Sequence, residues 1–81
     1  AYKVQPNPTQ GNFEVQWLNA DDTPEVIQVM DVSGKLVASY QPESTALNRL
    51  SIDIGHLPNN LYFVKIRSSA EVITKKLLLQ R

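Results

Sequence analysis

Hydrophobic and polar residues alternate over short stretches of this chain, and turn-forming residues separate the stretches. Successive side chains of a β-strand point to opposite faces, so alternation with a period of two predicts strands buried on one face. There are seven such runs, and no stretch keeps the helical period. Their spacing predicts an all-β chain folded as an antiparallel β-sandwich. The runs are 2–5, 12–18, 25–31, 35–40, 47–54, 61–68 and 71–80.

The alternation also predicts which side chains are buried. In the second run, Phe13, Val15 and Trp17 share one face, while Glu14 and Gln16 occupy the other. Burial of each large apolar side chain stabilises the folded state by roughly 1.5–3 kcal/mol. The predicted core residues are Phe13, Val15, Trp17, Ile27, Val29, Leu36, Ala38, Leu50, Ile52, Ile54, Tyr62, Val64, Ile66, Leu77 and Leu79.

The last run does not alternate cleanly. Ile73 and Leu77 share their parity with Lys75, which directs an ammonium group towards the core. Two explanations are open: Lys75 reaches solvent at a sheet edge, or a β-bulge near residues 74–76 resets the phase. We favour the bulge.

Residue types predict the conformation of several turns. In the segment DVSGK, Asp31 can accept hydrogen bonds from turn amides, and Gly34 can take the positive φ of a type I turn with a G1 bulge. In LPNNLY, Pro58 fixes one backbone angle, and we expect Asn60 in a left-handed conformation. The two prolines of residues 6–8 predict a kink after the first strand.

Composition bounds the function. The 81 residues allow one domain, which we expect to be a terminal domain excised from a larger protein. Eight basic and eight acidic side chains cancel, which argues against a general binder of nucleic acid or membrane surfaces. Residues 60–81 nevertheless hold five basic side chains and one acidic side chain. The sequence has no cysteine and no apolar run that is long enough for a transmembrane segment.

The residues offer no catalytic or metal-binding constellation. His56 is the only histidine, and no serine and carboxylate partners stand at a recognisable spacing. Asp31 and Asp53 are expected at turn and outward strand positions, which disfavours a carboxylate pair. The adjacent Asp21 and Asp22 favour a solvated loop over a calcium site. We therefore predict that the protein is not an enzyme and uses no cofactor.

Aromatic residues do not predict a carbohydrate-binding platform. Trp17 and Tyr62 belong to the predicted core, which leaves too few aromatic rings for a surface stripe. Phe63 has the parity of Lys65 and Arg67. We therefore expect Phe63 to be exposed or to lie at a partner surface.

The motifs PNP, DVSGK, LPNNLYFVKI and KKLLLQR follow one another from residue 6 to Arg81. In this order they resemble the type A C-terminal sorting domain of the type IX secretion system, the Por secretion system C-terminal domain family. The resemblance covers nearly the whole chain. Gln5 departs from the aromatic residue that is common there, and Asn60 departs from the usual glycine. The matching residues are Pro6, Asn7, Pro8, Asp31, Gly34, Lys35, Leu57, Pro58, Tyr62, Val64, Lys65, Lys76, Leu77 and Arg81.

The resemblance implies an immunoglobulin-like sandwich of seven strands that acts as a non-catalytic C-terminal secretion signal. It implies a parent protein of a Gram-negative bacterium, which crosses the periplasm and is recognised by the type IX outer-membrane translocon. A sortase-like cysteine peptidase would then remove the domain, with cleavage before residue 1. The cargo would be released or anchored to lipopolysaccharide at the cell surface. Strand edges would also allow a weak homodimer.

Two other functional classes are compatible with a small β-sandwich. A fibronectin-like spacer or a carbohydrate-binding sandwich would share the fold, but it would not require KKLLLQR to end the polypeptide. A small enzyme or inhibitor domain is disfavoured by the absence of cysteine, the single histidine and the short loops. The secretion signal is the prediction that we adopt.

Overall fold

The structure, a computed structural model, describes residues 2–42 and 47–81. Each predicted run overlaps one strand, and no strand end differs from its predicted position by more than two residues. A short 3-10 helix, Ala20–Asp22, lies between the second and third strands. The strands are β1 Tyr2–Gln5, β2 Asn12–Trp17, β3 Val26–Met30, β4 Leu36–Tyr40, β5 Arg49–Asp53, β6 Asn60–Arg67 and β7 Val72–Leu79.

The strands form two sheets that pack against each other. One sheet has three strands in the order β1-β2-β5, and the other has four strands in the order β4-β3-β6-β7. Every pair of neighbouring strands is antiparallel. The predicted antiparallel β-sandwich is therefore confirmed, and the strand order is compatible with an immunoglobulin-like fold.

One hydrophobic core lies between the sheets, and alternation predicted most of it. Tyr2 joins the core although it was not predicted to do so, while Ala38 and Leu50 are partly buried and pack against it. The side chains therefore follow the period-two pattern that buries one face of each strand. The buried core residues are Tyr2, Phe13, Val15, Trp17, Ile27, Val29, Ile52, Ile54, Tyr62, Val64, Ile66, Leu77 and Leu79.

The prediction that Leu36 is buried is wrong, because 49% of its surface is exposed. A β-bulge accounts for the difference. Val29 lies opposite Ala38. The next residue, Met30, lies opposite Leu36, which leaves Val37 as an extra residue in β4. One extra residue reverses the phase of a strand, so Leu36 faces outwards with Met30.

The bulge predicted near residues 74–76 is also wrong. β6 and β7 pair in continuous register along their whole length. Lys75 lies opposite Val64 and keeps the parity of Leu77, but it is exposed because β7 is an edge strand of its sheet. The other explanation, a lysine that reaches solvent at a sheet edge, accounts for the pattern.

Candidate functional site

Strand register brings the four sequence motifs to one end of the sandwich. Met30, the last residue of β3, lies opposite Phe63, so the DVSGK loop lies at the end of the sheet where β6 begins. The first residue of β6, Asn60, lies opposite Leu79 at the end of β7. Residues 6–11 join this end because they contact the last part of β7. We call it the motif end, and it consists of residues 6–11, 31–35, 54–60 and 76–81.

Asn7 of the PNP motif binds the backbone of the last strand. Its Nδ2 donates a hydrogen bond of 3.0 Å to the carbonyl oxygen of Lys76. Its Oδ1 accepts a hydrogen bond of 3.0 Å from the backbone N–H of Leu78. The side-chain amide thus substitutes for a peptide group of a neighbouring strand. Asn7 thereby ties the first motif to the last motif.

Thr9 continues the pairing along β7. Its backbone N–H donates to the carbonyl oxygen of Leu78 at 2.8 Å, and its carbonyl oxygen accepts from the N–H of Gln80 at 2.9 Å. The bridge between Thr9 and Leu79 is parallel. Residues 7–9 therefore cover the edge of β7 over its last residues, where an open edge would offer unpaired backbone groups to other strands.

Gly11 packs the PNP loop against the turn that follows β5. Its φ is +148°, and a Cβ atom there would lie 3.0 Å from the Cα of Gly55. Its carbonyl oxygen accepts a hydrogen bond of 2.8 Å from the N–H of Ile54. A side chain at this position would therefore strain the backbone and push two loops apart.

Tyr62 anchors the LPNNLY turn. The ring is 3% exposed, and its hydroxyl donates a hydrogen bond of 2.6 Å to the carbonyl oxygen of Pro58. This contact is similar to the tyrosine corner found in immunoglobulin-like sandwiches. Leu57 packs against the core beside it. The motif thus fixes the entry of the chain into β6.

The expected left-handed conformation of Asn60 is wrong. Asn60 begins β6, and its Oδ1 accepts a hydrogen bond of 2.8 Å from the N–H of Leu61. Among the described residues, the non-glycine residue with positive φ is Asn48, at +53°. Asparagine replaces the usual glycine in the motif without any demand for a left-handed backbone.

Arg81 binds the same turn from the C-terminal side. Its Nη1 donates a hydrogen bond of 2.9 Å to the carbonyl oxygen of Gly55. Its backbone N–H donates to Oδ1 of Asn59 at 3.3 Å. The guanidinium group is exposed and keeps donors for a further partner, since arginine carries five N–H groups.

The DVSGK loop is the predicted hairpin. Gly34 has a φ of +87°, and its N–H donates to the carbonyl oxygen of Asp31 at 3.0 Å. The Asp31 carboxylate accepts hydrogen bonds from the Ser33 hydroxyl at 2.6 Å and from the backbone N–H groups of Ser33 and Lys35. The Ser33 hydroxyl and then the Lys35 amide hold the pKa of Asp31 below its ordinary value.

The predicted site residues divide by exposure. Buried residues can only support the fold, whereas exposed residues can also contact a partner. The buried ones are Tyr62, Val64 and Leu77. The partly buried ones are Asp31, Leu57 and Lys65. The exposed ones are Pro6, Asn7, Pro8, Gly34, Lys35, Pro58, Lys76 and Arg81.

Sequence reasoning missed four residues that join the motifs. Thr9, Gly11, Gly55 and Asn59 make loop-to-loop contacts at the motif end. Their partners are distant in the sequence, and loop residues carry no periodic signal. The spacing from Pro8 to Gly11 resembles an ordinary turn, so no sequence signal pointed to these contacts.

The single histidine and the carboxylates of residues 2–42 and 47–81 form no metal-binding cluster. His56 is exposed, and Oδ1 of Asp53 accepts a hydrogen bond of 2.7 Å from the N–H of Gly55. No group of three or more His, Asp or Glu side chains in the described ranges is placed to hold a metal ion. The described part of the chain contains no helix of the length and hydropathy that a membrane span requires.

Comparison with known families identifies the family to which the chain belongs. Residues 3–80 match the family described as the secretion system C-terminal sorting domain. A comparison with curated proteins finds no significant match. The family match includes all four motifs except the final arginine of the last one, and it spans the whole motif end up to residue 80. The chain therefore belongs to the type IX secretion system C-terminal sorting domains, which direct proteins through that machinery to the cell surface or the extracellular space.

Proposed function

We propose that the motif end is the surface that the type IX outer-membrane translocon recognises. The observation that carries this proposal is the direct bonding of three of the four motifs to one another. Asn7 of the first motif binds Lys76 and Leu78 of the last motif, and the backbone N–H of Arg81 donates to Asn59 of the third motif. A receptor that contacts this end meets residues of several motifs at once.

Exposure suggests how the motif residues divide their work. Val64 and Leu77 have no exposed surface, so they act by holding the sandwich together. Lys76 and Arg81 are exposed and positively charged, which suits them to contact a receptor. Arginine can bind a carboxylate through two parallel hydrogen bonds, which adds geometric specificity to the charge. The domain then acts as a non-catalytic address label.

The burial of Tyr2 in β1 argues against cleavage by a peptidase within this strand. Tyr2 is 8% exposed, and its hydroxyl donates a hydrogen bond to the carbonyl oxygen of Asp22. A peptidase binds an extended and accessible segment, so paired residues of β1 make poor substrates. We infer that a sortase-like cysteine peptidase cleaves before residue 1, after transit through the periplasm. The cargo is then released or anchored to lipopolysaccharide.

The alternative of a carbohydrate-binding sandwich gains no support from the aromatic residues. Sugar recognition needs ring faces that are open to solvent. Tyr2, Trp17 and Tyr62 are almost fully buried. Tyr40 and Phe63 are partly buried and lie on different faces of the four-stranded sheet. The spacer alternative would require no contact between the ends of the chain.

A fusion experiment tests the sorting function. A fluorescent passenger with a periplasmic export signal is joined through the upstream linker to these 81 residues and produced in a strain with a working type IX system. We expect the intact fusion outside the cell. Deletion of residues 77–81 removes two fully buried leucines and Arg81, so the passenger should stay in the periplasm. The His56→Ala fusion is the control and should be exported.

Equal export of the truncated and intact fusions would contradict the sorting function and favour a spacer domain. Retention of the intact fusion in a strain that exports its own type IX cargo would also contradict it.

A further inference from the structure

The outer face of the four-stranded sheet carries a row of apolar side chains. Residues directly opposite each other in an antiparallel pair lie on the same face of the sheet. Leu36 lies opposite Met30, and Met30 lies opposite Phe63. These three side chains therefore form a continuous row across β4, β3 and β6, on the face that points away from the core.

A second apolar pair extends the row towards the motif end. Leu61 lies opposite Leu78. Leu61 is two residues from Phe63 in β6, and in β7 Leu78 is two residues from Lys76, which lies opposite Phe63. Leu36 is 49% exposed and Leu78 is 38% exposed, while Met30, Leu61 and Phe63 are partly buried. We call this set the outer apolar patch, and it consists of Met30, Leu36, Leu61, Phe63 and Leu78.

The β-bulge at Val37 builds the patch. Without the extra residue, Leu36 would keep the parity of Ala38 and turn towards the core. The bulge therefore gives up the burial of a leucine and adds an exposed apolar residue to the outer face. Large contiguous apolar patches on a protein surface mark interaction sites.

Positive charge borders the patch. Lys76 lies opposite Phe63, and Lys65 stands in the next row, opposite Gln28 and Thr74. No acidic residue occurs in any of the four strands of this sheet. The face therefore complements a surface that has an apolar centre and carboxylates at its border.

We propose that the outer apolar patch docks an acidic surface of a folded partner protein. The inference rests on the proposed sorting function and adds a contact surface that overlaps the motif end at Leu78. It also gives Lys65 and Lys76, which match the family motifs, a role at the border of this surface.

A second copy of the chain and an anionic membrane are the competing occupants. Two copies that met through this face would bring Lys65 and Lys76 of both copies together, and like charges at an interface oppose association. A membrane surface requires a dense basic cluster or protruding apolar groups. The chain has no net charge, and three of the five patch side chains are partly buried.

Export of two matched double variants tests the patch in the passenger fusion. The patch variant combines Leu36→Thr with Leu78→Thr. The control variant combines Leu18→Thr with Val72→Thr, which are 81% and 55% exposed and lie outside the patch. We expect the patch variant to be exported about tenfold more slowly than the intact fusion, which corresponds to about 1.4 kcal/mol of lost contact free energy. The control variant should be exported at the rate of the intact fusion.

A photocrosslinking residue identifies the occupant. Placed at position 36 in the fusion, it should form an adduct with a different protein in exporting cells, and Lys65→Glu should abolish that adduct. The same residue at position 18 should form no such adduct. An adduct between two copies of the fusion, an adduct with lipid alone, or no adduct at position 36 would overturn the proposal.

The outcomes separate the patch from the sorting function. If the intact fusion and both double variants are exported equally, the patch proposal fails and the sorting function stands. If the intact fusion is not exported, the sorting function fails and the patch proposal fails with it. Thermal melting of the two double variants should agree within about 5 °C, which shows that any export difference does not come from unfolding.

Discussion

The two ends of the sandwich are closed in different ways. At the motif end, Asn7 binds Lys76 and Leu78, which lie 69 and 71 residues away in the sequence. At the far end, which includes residues 18–25 and 67–72, the side-chain hydrogen bonds of the two loops are mostly local. The loops are joined by an exposed ion pair between Arg67 and Glu25 and by a backbone hydrogen bond of 2.7 Å from the N–H of Glu25 to the carbonyl oxygen of Arg67. Asn19 accepts from the N–H of Asp21, and Ser68 exchanges hydrogen bonds with Glu71.

This difference explains where the sequence motifs lie. A loop that closes on itself can accept many sequences, because its hydrogen bonds need only nearby polar groups. A loop that binds a distant loop needs particular side chains in particular places. The motif residues Asn7 and Arg81 make such contacts. Long-range hydrogen bonds therefore join the first, third and last motifs at one end, whereas the DVSGK loop at the same end is closed within itself.

The largest expected effect compares two neighbouring leucines of β7. Leu77 has no exposed surface, so Leu77→Ala should lower the free energy of unfolding by about 2–5 kcal/mol. Leu78 is 38% exposed, and Leu78→Ala should cost less than about 1 kcal/mol. Urea unfolding followed by circular dichroism measures both. Equal losses would show that the register of β7 is wrong.

Substitutions at Gly11 and Gly34 distinguish the contribution of loop-to-loop packing to stability from that of turn geometry. Gly11 and Gly34 both have positive φ, so alanine at either position strains the backbone. At Gly34 this strain is the whole expected effect, and Gly34→Ala should lower the free energy of unfolding by about 1–3 kcal/mol. A Cβ at Gly34 would meet no atom within 4 Å, whereas one at Gly11 would lie 3.0 Å from the Cα of Gly55. Gly11→Ala should therefore be the more destabilising variant. A thermal melt that ranks them in the opposite order would contradict loop packing at the motif end.

Substitutions of Asn7 and Asn19 compare the two ends of the sandwich directly. Asn7→Ala removes two hydrogen bonds to β7 and should lower the free energy of unfolding by about 1 kcal/mol, since each exposed bond contributes little. Asn19→Ala removes one local bond and should cost about 0.5 kcal/mol. Hydrogen exchange gives the sharper comparison, because only Asn7→Ala should accelerate exchange of the Leu78 amide. Unchanged exchange at Leu78 would contradict the role of Asn7.

The smallest effect concerns pH at the DVSGK hairpin. Hydrogen bonds from Ser33 and Lys35 hold the pKa of Asp31 below 3.8, its ordinary value. Asp31 therefore stabilises the fold at pH values above its unfolded-state pKa, and this contribution is lost as pH falls through the lowered pKa. Asp31→Asn should reduce the drop in melting temperature between pH 7 and pH 2. An identical drop in both proteins would exclude a contribution from this carboxylate.

Local chemistry allowed much of the fold to be predicted from the sequence. Period-two alternation placed the seven strands, and residue type placed the positive φ of Gly34. The errors have tertiary causes. The phase of Leu36 depends on a bulge opposite β3, and the exposure of Lys75 depends on the position of β7 at the sheet edge. Neither feature is encoded in the alternation of a single strand.

The sequence predicted which residues form the motifs of the candidate site, but it did not predict the contacts between those motifs. The resemblance named the residues, whereas the pairing of Asn7 with β7 joins segments that no local pattern relates. Asn60 shows that residue type can also predict a local conformation that the fold does not adopt. Its residue type suggested a left-handed turn, but the observed backbone is that of the first residue of β6.

The most direct test of the sorting surface removes charge from the motif end without touching the core. Lys76→Ala with Arg81→Ala changes two exposed cations there, and Lys75→Ala with Arg49→Ala changes two exposed cations elsewhere. Both double variants have the same net charge, and the measurement is the fraction of fluorescent passenger outside the cell. We predict that the first variant remains in the periplasm and that the second is exported like the intact fusion. Export of both variants at the same level would contradict recognition at the motif end.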